Sequence, residues 1–352
     1  MARPSWSKEG KAAIIGSGSF GTALSILIAQ NTDVLLYTRS QKIADAINST
    51  GKNNGHELSD RITATTDIEQ VCSECQVIFP VVPSRYMRDT IRAFAPYLYP
   101  THILIHATKG FDLTGVEEEN LLDEDISRSQ IRTMSEVITQ ESSVVRVGCL
   151  SGPNLAKEIM EGQPTATVIA SEYDEVIELG RSYLAGARFY VFGTHDIIAA
   201  EMAGALKNII AIGSGMLTGL GLGKNIQGML ITRGLNEMIH LGKAMGAGYK
   251  AFLGTAGIGD LVTTATSPDS RNFQTGHRLS QGESLEQVIT SSTELAEGLR
   301  TMKIVHQLIN HYRLKLPVME LLYRVTFEGV DLLKGIEILM RYPFATDVDF
   351  LT

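Results

Sequence analysis

The stretch "AAIIGSGSFGTALSILIAQ", residues 12–30, decides the fold. Its first four residues are apolar and compact enough for a buried strand. "GSGSFG" (16–21) then matches G-x-G-x-x-G, and "TALSILIAQ" continues with apolar residues at helical spacing. The hexapeptide alone is a weak signal. Preceded by a strand, followed by a helix and opening the chain's first βαβ unit, it fits the dinucleotide-binding fingerprint. Gly16 would make the tight turn, Gly18 would let a pyrophosphate approach the backbone, and Gly21 would allow close packing of helix on strand. The helix N-terminus would face the phosphates.

Working outward, "VLLYTR" (34–39), "VIFPVVP" (77–83), "HILIHATKG" (102–110) and "VVRVGCLSGP" (144–153) read as buried strands. Their continuous apolar character, without strict alternation, predicts a parallel sheet covered on both faces. "TATVIAS" (165–171) and "RFYVFG" (188–193) predict further strands, as antiparallel additions. After about His195 the apolar residues fall at helical spacing, as in "GMLITRGLNEMIHLGKAM" (228–245). The expected architecture is α/β: an N-terminal Rossmann-type doubly wound sheet over residues 1–194, followed by an all-helical C-terminal domain over 195–352. The segment 117–140 begins with six acids in nine residues and predicts a solvated face without chemistry.

Composition narrows the function. The 352 residues are 44% hydrophobic and carry a net charge of −8, which argues against a nucleic-acid partner. Three cysteines, Cys72, Cys75 and Cys149, are too few for a disulfide framework and suit a reducing compartment. The N-terminus lacks a signal-peptide pattern and no run of 18 residues is wholly apolar, so no transmembrane segment is expected and the cytoplasm is the default. The eight histidines form no ligand-spaced pattern, so no metal is expected.

The end of the second strand bears on the cofactor. An NAD-selective site places Asp or Glu there, whereas this chain has "YTRS", with Arg39 in that neighbourhood. A guanidinium pairs with a 2′-phosphate, so NADPH/NADP is expected, with NADH/NAD also possible. Later strand ends place Pro83, Lys109, Gly152 and Asn154 on the cofactor side of an open sheet.

In the helical half, Lys207 sits in the otherwise uncharged "GALKNIIAIGSG" (204–215). Its neighbours three and four positions away, Ala203, Gly204, Ile210 and Ala211, cannot pair with an ammonium. Burying an unpaired charge costs several kcal/mol or lowers the pKa, which leaves Lys207 as an accident of the fold, a snorkelling surface lysine or a proton carrier in a site. Asp260, in "GIGD", is the expected counter-charge, and the small residues around Lys207 read as room for ligands. "SRN" (270–272) offers a hydroxyl, a guanidinium and an amide suited to a phosphomonoester. Arg233 and Glu237, at i and i+4, predict a helix salt bridge.

Taken in order, "IGSGSFGTAL", "VVPS", "ATKG", "SGPNLAKE", "ALKNIIAIGSGM", "GLGKNIQGMLITRGLNEM", "GTAGIGDLVTT" and "SRNFQTG" resemble the bacterial-type NAD(P)-dependent glycerol-3-phosphate dehydrogenases from residue 11 to about 330. The resemblance implies reversible reduction of dihydroxyacetone phosphate to sn-glycerol 3-phosphate for phospholipid synthesis. It implies cofactor contacts at Ser19, Phe20, Arg39, Lys109, Ala156, Arg271, Leu295 and Glu297. Substrate contacts are implied at Lys109, Gly152, Asn154, Lys207, Asp260, Ser270, Arg271 and Asn272, with Lys207 as proton acceptor. Many relatives carry Thr or Ser where this chain has Asn154. A homodimer is implied as well. Two rival readings are a 3-hydroxyacid or 6-phosphogluconate-type dehydrogenase and a regulator that senses a dinucleotide without turnover.

Overall fold

The computed structural model describes residues 10–116, 121, 126–292 and 296–341. The chain divides into two compact units, Met1–Asp112 with Thr133–Ile197, and Leu113–Arg132 with Ile198–Thr352.

The first unit is built on eight strands: Ala12–Ile15 (β1), Val34–Tyr37 (β2), Ile62–Thr65 (β3), Val77–Pro80 (β4), Ile103–His106 (β5), Arg146–Ser151 (β6), Thr165–Ala170 (β7) and Phe189–Thr194 (β8). They lie in the order β8-β7-β6-β5-β4-β1-β2-β3. β1 runs parallel to both neighbours, with Ala12 opposite Val34 on one side and Val77 on the other. β7 joins β6 antiparallel, Leu150 opposite Ile169, and β8 follows β7 in parallel. The two antiparallel additions are therefore present as expected.

Alternation along each strand builds two cores. Ala12 and Ile14 pack with Leu24, Leu27 and Leu36 on one face, while Ala13 and Ile15 pack with Leu35, Ile78 and Leu104 on the other. Strand order reverses at β1, between β2 and β4, and such a switch point opens a crevice beyond the strand ends. β3 is absent from the sequence-based strand list because "ITAT" is a short edge strand with one face partly exposed. Cys72 and Cys75 are buried free thiols, both pushed up to about 12 by burial, which makes them inert packing residues.

The second unit is helical. Its longest helix, Ile197–Gly219, carries Lys207, and Lys224–Ala244 follows it. Ile197–Gly219 is long and apolar enough to cross a membrane by length and composition, although Lys207 and polar residues interrupt its apolar run. Within the fold 94% of its most apolar window is buried, as in a core helix. The glycines of "IGSG" are filled by neighbouring helices: Gly213 faces Leu322, and a Cβ on Gly215 would overlap the carbonyl oxygen of Phe273. In return, a Cβ on Gly276 would overlap the carbonyl oxygen of Ile212. Gly215 and Gly276 thus serve a close crossing of Ile197–Gly219 with the helix Arg271–Ser280, and Gly213 makes room for Leu322.

Glu237 departs from the expected local pairing. Its two carboxylate oxygens accept from the backbone N–H groups of Val318 (2.7 Å) and Met319 (2.8 Å), at the start of the helix Pro317–Phe327. The carboxyl group thereby satisfies two of the orphan donors at this helix start.

Candidate active site

In the first unit the glycine loop has the shape a pyrophosphate needs. Gly16 has φ +121°, and a Cβ there would stand 2.6 Å from the carbonyl oxygen of Val81. A Cβ on Gly21 would overlap the Gly16 carbonyl oxygen, so the helix Ser19–Ile28 can sit this close only without a side chain. Gly18 differs: nothing lies within 4 Å of a Cβ built on it, and its helix has neither a side-chain cap nor an acid in the first turn. Bare N-terminal amides beside open space form a cradle for an anion. NAD(P) therefore fits the residues present.

Two asparagines that the sequence reading missed brace this loop. The Nδ2 atoms of Asn53 and Asn54 donate to the Ser17 carbonyl oxygen at 3.0 and 2.9 Å, and to Thr22 Oγ1 at 2.9 and 2.8 Å. Their signal is the turn sequence "NNG", which marks a turn without saying what it touches. Phe20 and Ala156 both pack against the core on one face of the sheet, Ala156 as the first residue of the short helix Ala156–Met160. Arg39 lies exposed just past β2, and Pro83 exposed past β4.

The ends of β5 and β6 meet through side chains. Lys109 Nζ donates to the Gly152 carbonyl oxygen at 3.2 Å. Gly152 has φ +146°, with Thr167 backbone and side-chain atoms 3.2–3.4 Å from a Cβ built there. Asn154 Nδ2 donates to Thr167 Oγ1 (2.8 Å), which itself donates to the Ser151 carbonyl oxygen (3.1 Å). This relay fixes the amide, leaving Asn154 Oδ1 buried and without a hydrogen-bond partner among the described residues. A buried acceptor left open is costly and suits a hydroxyl donor.

In the second unit Lys207 finds the partner its own helix lacks. Its Nζ donates to Asp260 Oδ1 and, at 2.5 Å, to Thr264 Oγ1. Thr264 Oγ1 in turn donates to Asp260 Oδ1 at 3.4 Å. The turn that presents Asp260 is π-helical over Thr255–Gly259, with the Gly259 N–H reaching back to the Gly254 carbonyl oxygen, 3.3 Å. Such wide turns recur at functional sites because they re-aim the residues that follow.

"SRN" starts the helix Arg271–Ser280. Ser270 is buried, and its Oγ accepts from the Phe273 N–H at 3.3 Å as the N-cap. Arg271 is exposed beside it. Asn272 is tied down: its Nδ2 donates to Asn208 Oδ1 (2.9 Å) and its Oδ1 accepts from the Gly298 N–H (3.0 Å). Through that tie Glu297, which starts the helix Glu297–Tyr312, comes beside Asn272, and Asn208 follows Lys207 directly. Leu295 lies outside the described residues. The site residues therefore form one group at the strand ends of the first unit and one around Lys207 in the second. Among the described residues, no three His, Cys, Asp or Glu side chains converge as metal ligands.

Residues 11–177 match the family described as NAD-dependent glycerol-3-phosphate dehydrogenase N-terminus, and residues 196–337 match its C-terminus. The chain belongs to this family. A glycerol-3-phosphate dehydrogenase [NAD(P)+] of Teredinibacter turnerae is 39% identical over 96% of this chain and 97% of its own length. The relative of the same description from Leuconostoc mesenteroides is 37% identical, covering 96% of this chain and 99% of its own. Among solved structures, a glycerol-3-phosphate dehydrogenase from Coxiella burnetii superposes with a TM-score of 0.84 at 30% identity, covering 95% of this chain and 99% of that one. Within the glycerol-3-phosphate dehydrogenase family, the glycine loop and Lys207 motifs fall in the N-terminal and C-terminal matches respectively.

Proposed function

We propose that the chain is an NAD(P)-dependent sn-glycerol-3-phosphate dehydrogenase, reversibly reducing dihydroxyacetone phosphate to sn-glycerol 3-phosphate for glycerophospholipid synthesis. The observation that carries this reading is the buried Lys207–Asp260–Thr264 cluster in a member of this family.

Ketone reduction requires a hydride at carbon and a proton at oxygen. Bound NADPH or NADH supplies the hydride. Lys207 Nζ delivers the proton to the developing alkoxide and takes it back in the reverse direction. Asp260 and Thr264 are positioning residues that hold Nζ in place. The capped N-terminus of Arg271–Ser280, with the Arg271 guanidinium, receives the substrate phosphate. Asn272 shapes this corner, with one amide N–H still available. Asn154 Oδ1 accepts from a substrate hydroxyl, while Lys109 supplies a cation at the strand ends. The glycine loop Gly16–Gly21, Ser19, Phe20 and Ala156 hold the dinucleotide, with Glu297 on the cofactor side.

A cytoplasmic homodimer completes the reading, and size-exclusion with light scattering tests the dimer. The catalytic test is loss of reduced-nicotinamide absorbance with dihydroxyacetone phosphate and, separately, with a 3-oxo acid. Turnover only with the first supports the reading. Turnover only with the second overturns it.

A further inference from the structure

We propose that Arg85 joins Arg39 in a two-guanidinium site for the 2′-phosphate of NADP(H), with both guanidiniums held over the Tyr86 ring. The proposal rests on the dinucleotide reading above.

Arg39 follows β2 and Arg85 lies in the turn Ser84–Tyr86 beyond β4, so the two come from the strands on either side of β1. Both converge on one ring: the guanidinium carbon of Arg39 is 5.4 Å from the Tyr86 centroid and that of Arg85 is 4.6 Å. The platform is anchored. Ser84 is fully buried, Pro83 holds φ at −56°, and the Tyr86 N–H donates to the Pro83 carbonyl oxygen at 2.9 Å. Among the described residues neither arginine has a carboxylate partner, whereas Arg61, Arg92 and Arg146 each pair with an acid.

Two cations gathered on one aromatic ring without a counter-ion are a standing repulsion. A dianionic phosphomonoester removes it and meets planar donors that grip phosphate in pairs. Position selects the ligand, because the end of the second strand is where the adenosine ribose 2′ position lies in this type of sheet. The ribose hydroxyl of NAD brings no charge there. The same phosphate chemistry is present in the substrate, so the experiment separates the two sources.

Calorimetric titration of wild type, Arg85→Ala and Arg39→Ala with adenosine 2′,5′-bisphosphate and with ADP tests the site. Both variants are expected to bind the 2′,5′-bisphosphate about 10- to 100-fold more weakly, and ADP within about twofold of wild type. The KM for NADPH rises in step while the KM for NADH holds, and Arg85→Lys recovers only part of the loss. Both side chains are exposed, so truncation spares the core. Wild-type affinity of Arg85→Ala for the 2′,5′-bisphosphate overturns the proposal, as does an equal loss for both nucleotides. A raised KM for dihydroxyacetone phosphate at saturating NADH, with nucleotide binding unchanged, assigns Arg85 to the substrate and overturns it too. If wild type binds neither nucleotide, the dinucleotide reading itself fails, which is a different result.

Discussion

Lys207 and Asp260, 53 positions apart, form a buried ion pair whose side chains are 7% and 1% exposed. Neither could be buried alone, since desolvating a lone charge costs several kcal/mol. Even when paired, a buried ion pair often contributes less stability than apolar residues of the same volume. Its place on the most buried helix of the second unit is therefore better explained by chemistry than by folding. The π-helical turn before Asp260 points the same way, because a regular helix through Thr255–Gly259 would rotate the carboxylate away from its present direction.

Removing Lys207 is expected to reduce turnover about 10²- to 10⁴-fold in Lys207→Ala, the range for loss of a positioned proton donor. The substitution also strands Asp260, costing about 3–5 kcal/mol, so low activity alone could reflect unfolding. The double variant Lys207→Ala/Asp260→Asn removes the stranded charge. It should recover most of the thermal midpoint and none of the turnover. Recovery of both would remove Lys207 from the chemistry.

The need for a partner was legible because Lys207 has nothing to pair with at three or four positions on either side, while Asp260 as that partner followed from the resemblance of the ordered motifs. The glycine loop was legible for a similar reason, since its spacing carries its own geometry. Thr264, Asn53 and Asn54 gave no such signal: hydroxyls and amides are common, and their partners exist only after folding. The glycines of "IGSG" mark a close approach without naming what approaches, and at Gly213 and Gly215 it is other helices that approach. Arg233 and Glu237 satisfy a local pairing rule, but two backbone N–H donors at a buried helix start claim the Glu237 carboxylate.

Gly18 and Gly21 should separate cofactor binding from folding. Gly18→Ala meets open space and is expected to leave the unfolding free energy within about 0.5 kcal/mol of wild type, while weakening dinucleotide binding. Gly21→Ala drives a Cβ into the Gly16 carbonyl oxygen and should cost about 1–3 kcal/mol or more in stability. Urea unfolding beside fluorescence titration with NADPH reads both. Equal destabilisation by the two substitutions would contradict the geometry.

The helix crossing makes a similar contrast. Gly276→Ala must push the helices Arg271–Ser280 and Ile197–Gly219 apart, for an expected loss of about 1–3 kcal/mol or more. Gly228→Ala, inside Lys224–Ala244 with nothing within 4 Å, should be neutral or stabilising by up to about 1 kcal/mol. Because Arg271–Ser280 carries Ser270 and Arg271 at its start, Gly276→Ala should also raise the KM for dihydroxyacetone phosphate. An unchanged KM would mean that the phosphate corner does not depend on this crossing.

Glu237 gives the fold a pH dependence of unusual sign for a carboxylate. Burial pushes its pKa up to about 8, against the two backbone N–H bonds that pull it down. The folded chain therefore holds a proton that the unfolded chain releases near the ordinary glutamate value. Its contribution to stability is complete below about pH 4.3 and is lost as the pH rises through about 8. Over that window the loss is on the order of several kcal/mol. Glu237→Gln cannot ionise, and its amide can satisfy only one of the Val318 and Met319 donors, so it should be less stable at pH 6 by about 1–3 kcal/mol. Its stability should nevertheless change less than that of wild type between pH 6 and pH 8.5 in urea titrations, because the ionisable group is gone. A variant as steeply pH-dependent as wild type would place the titrating group elsewhere.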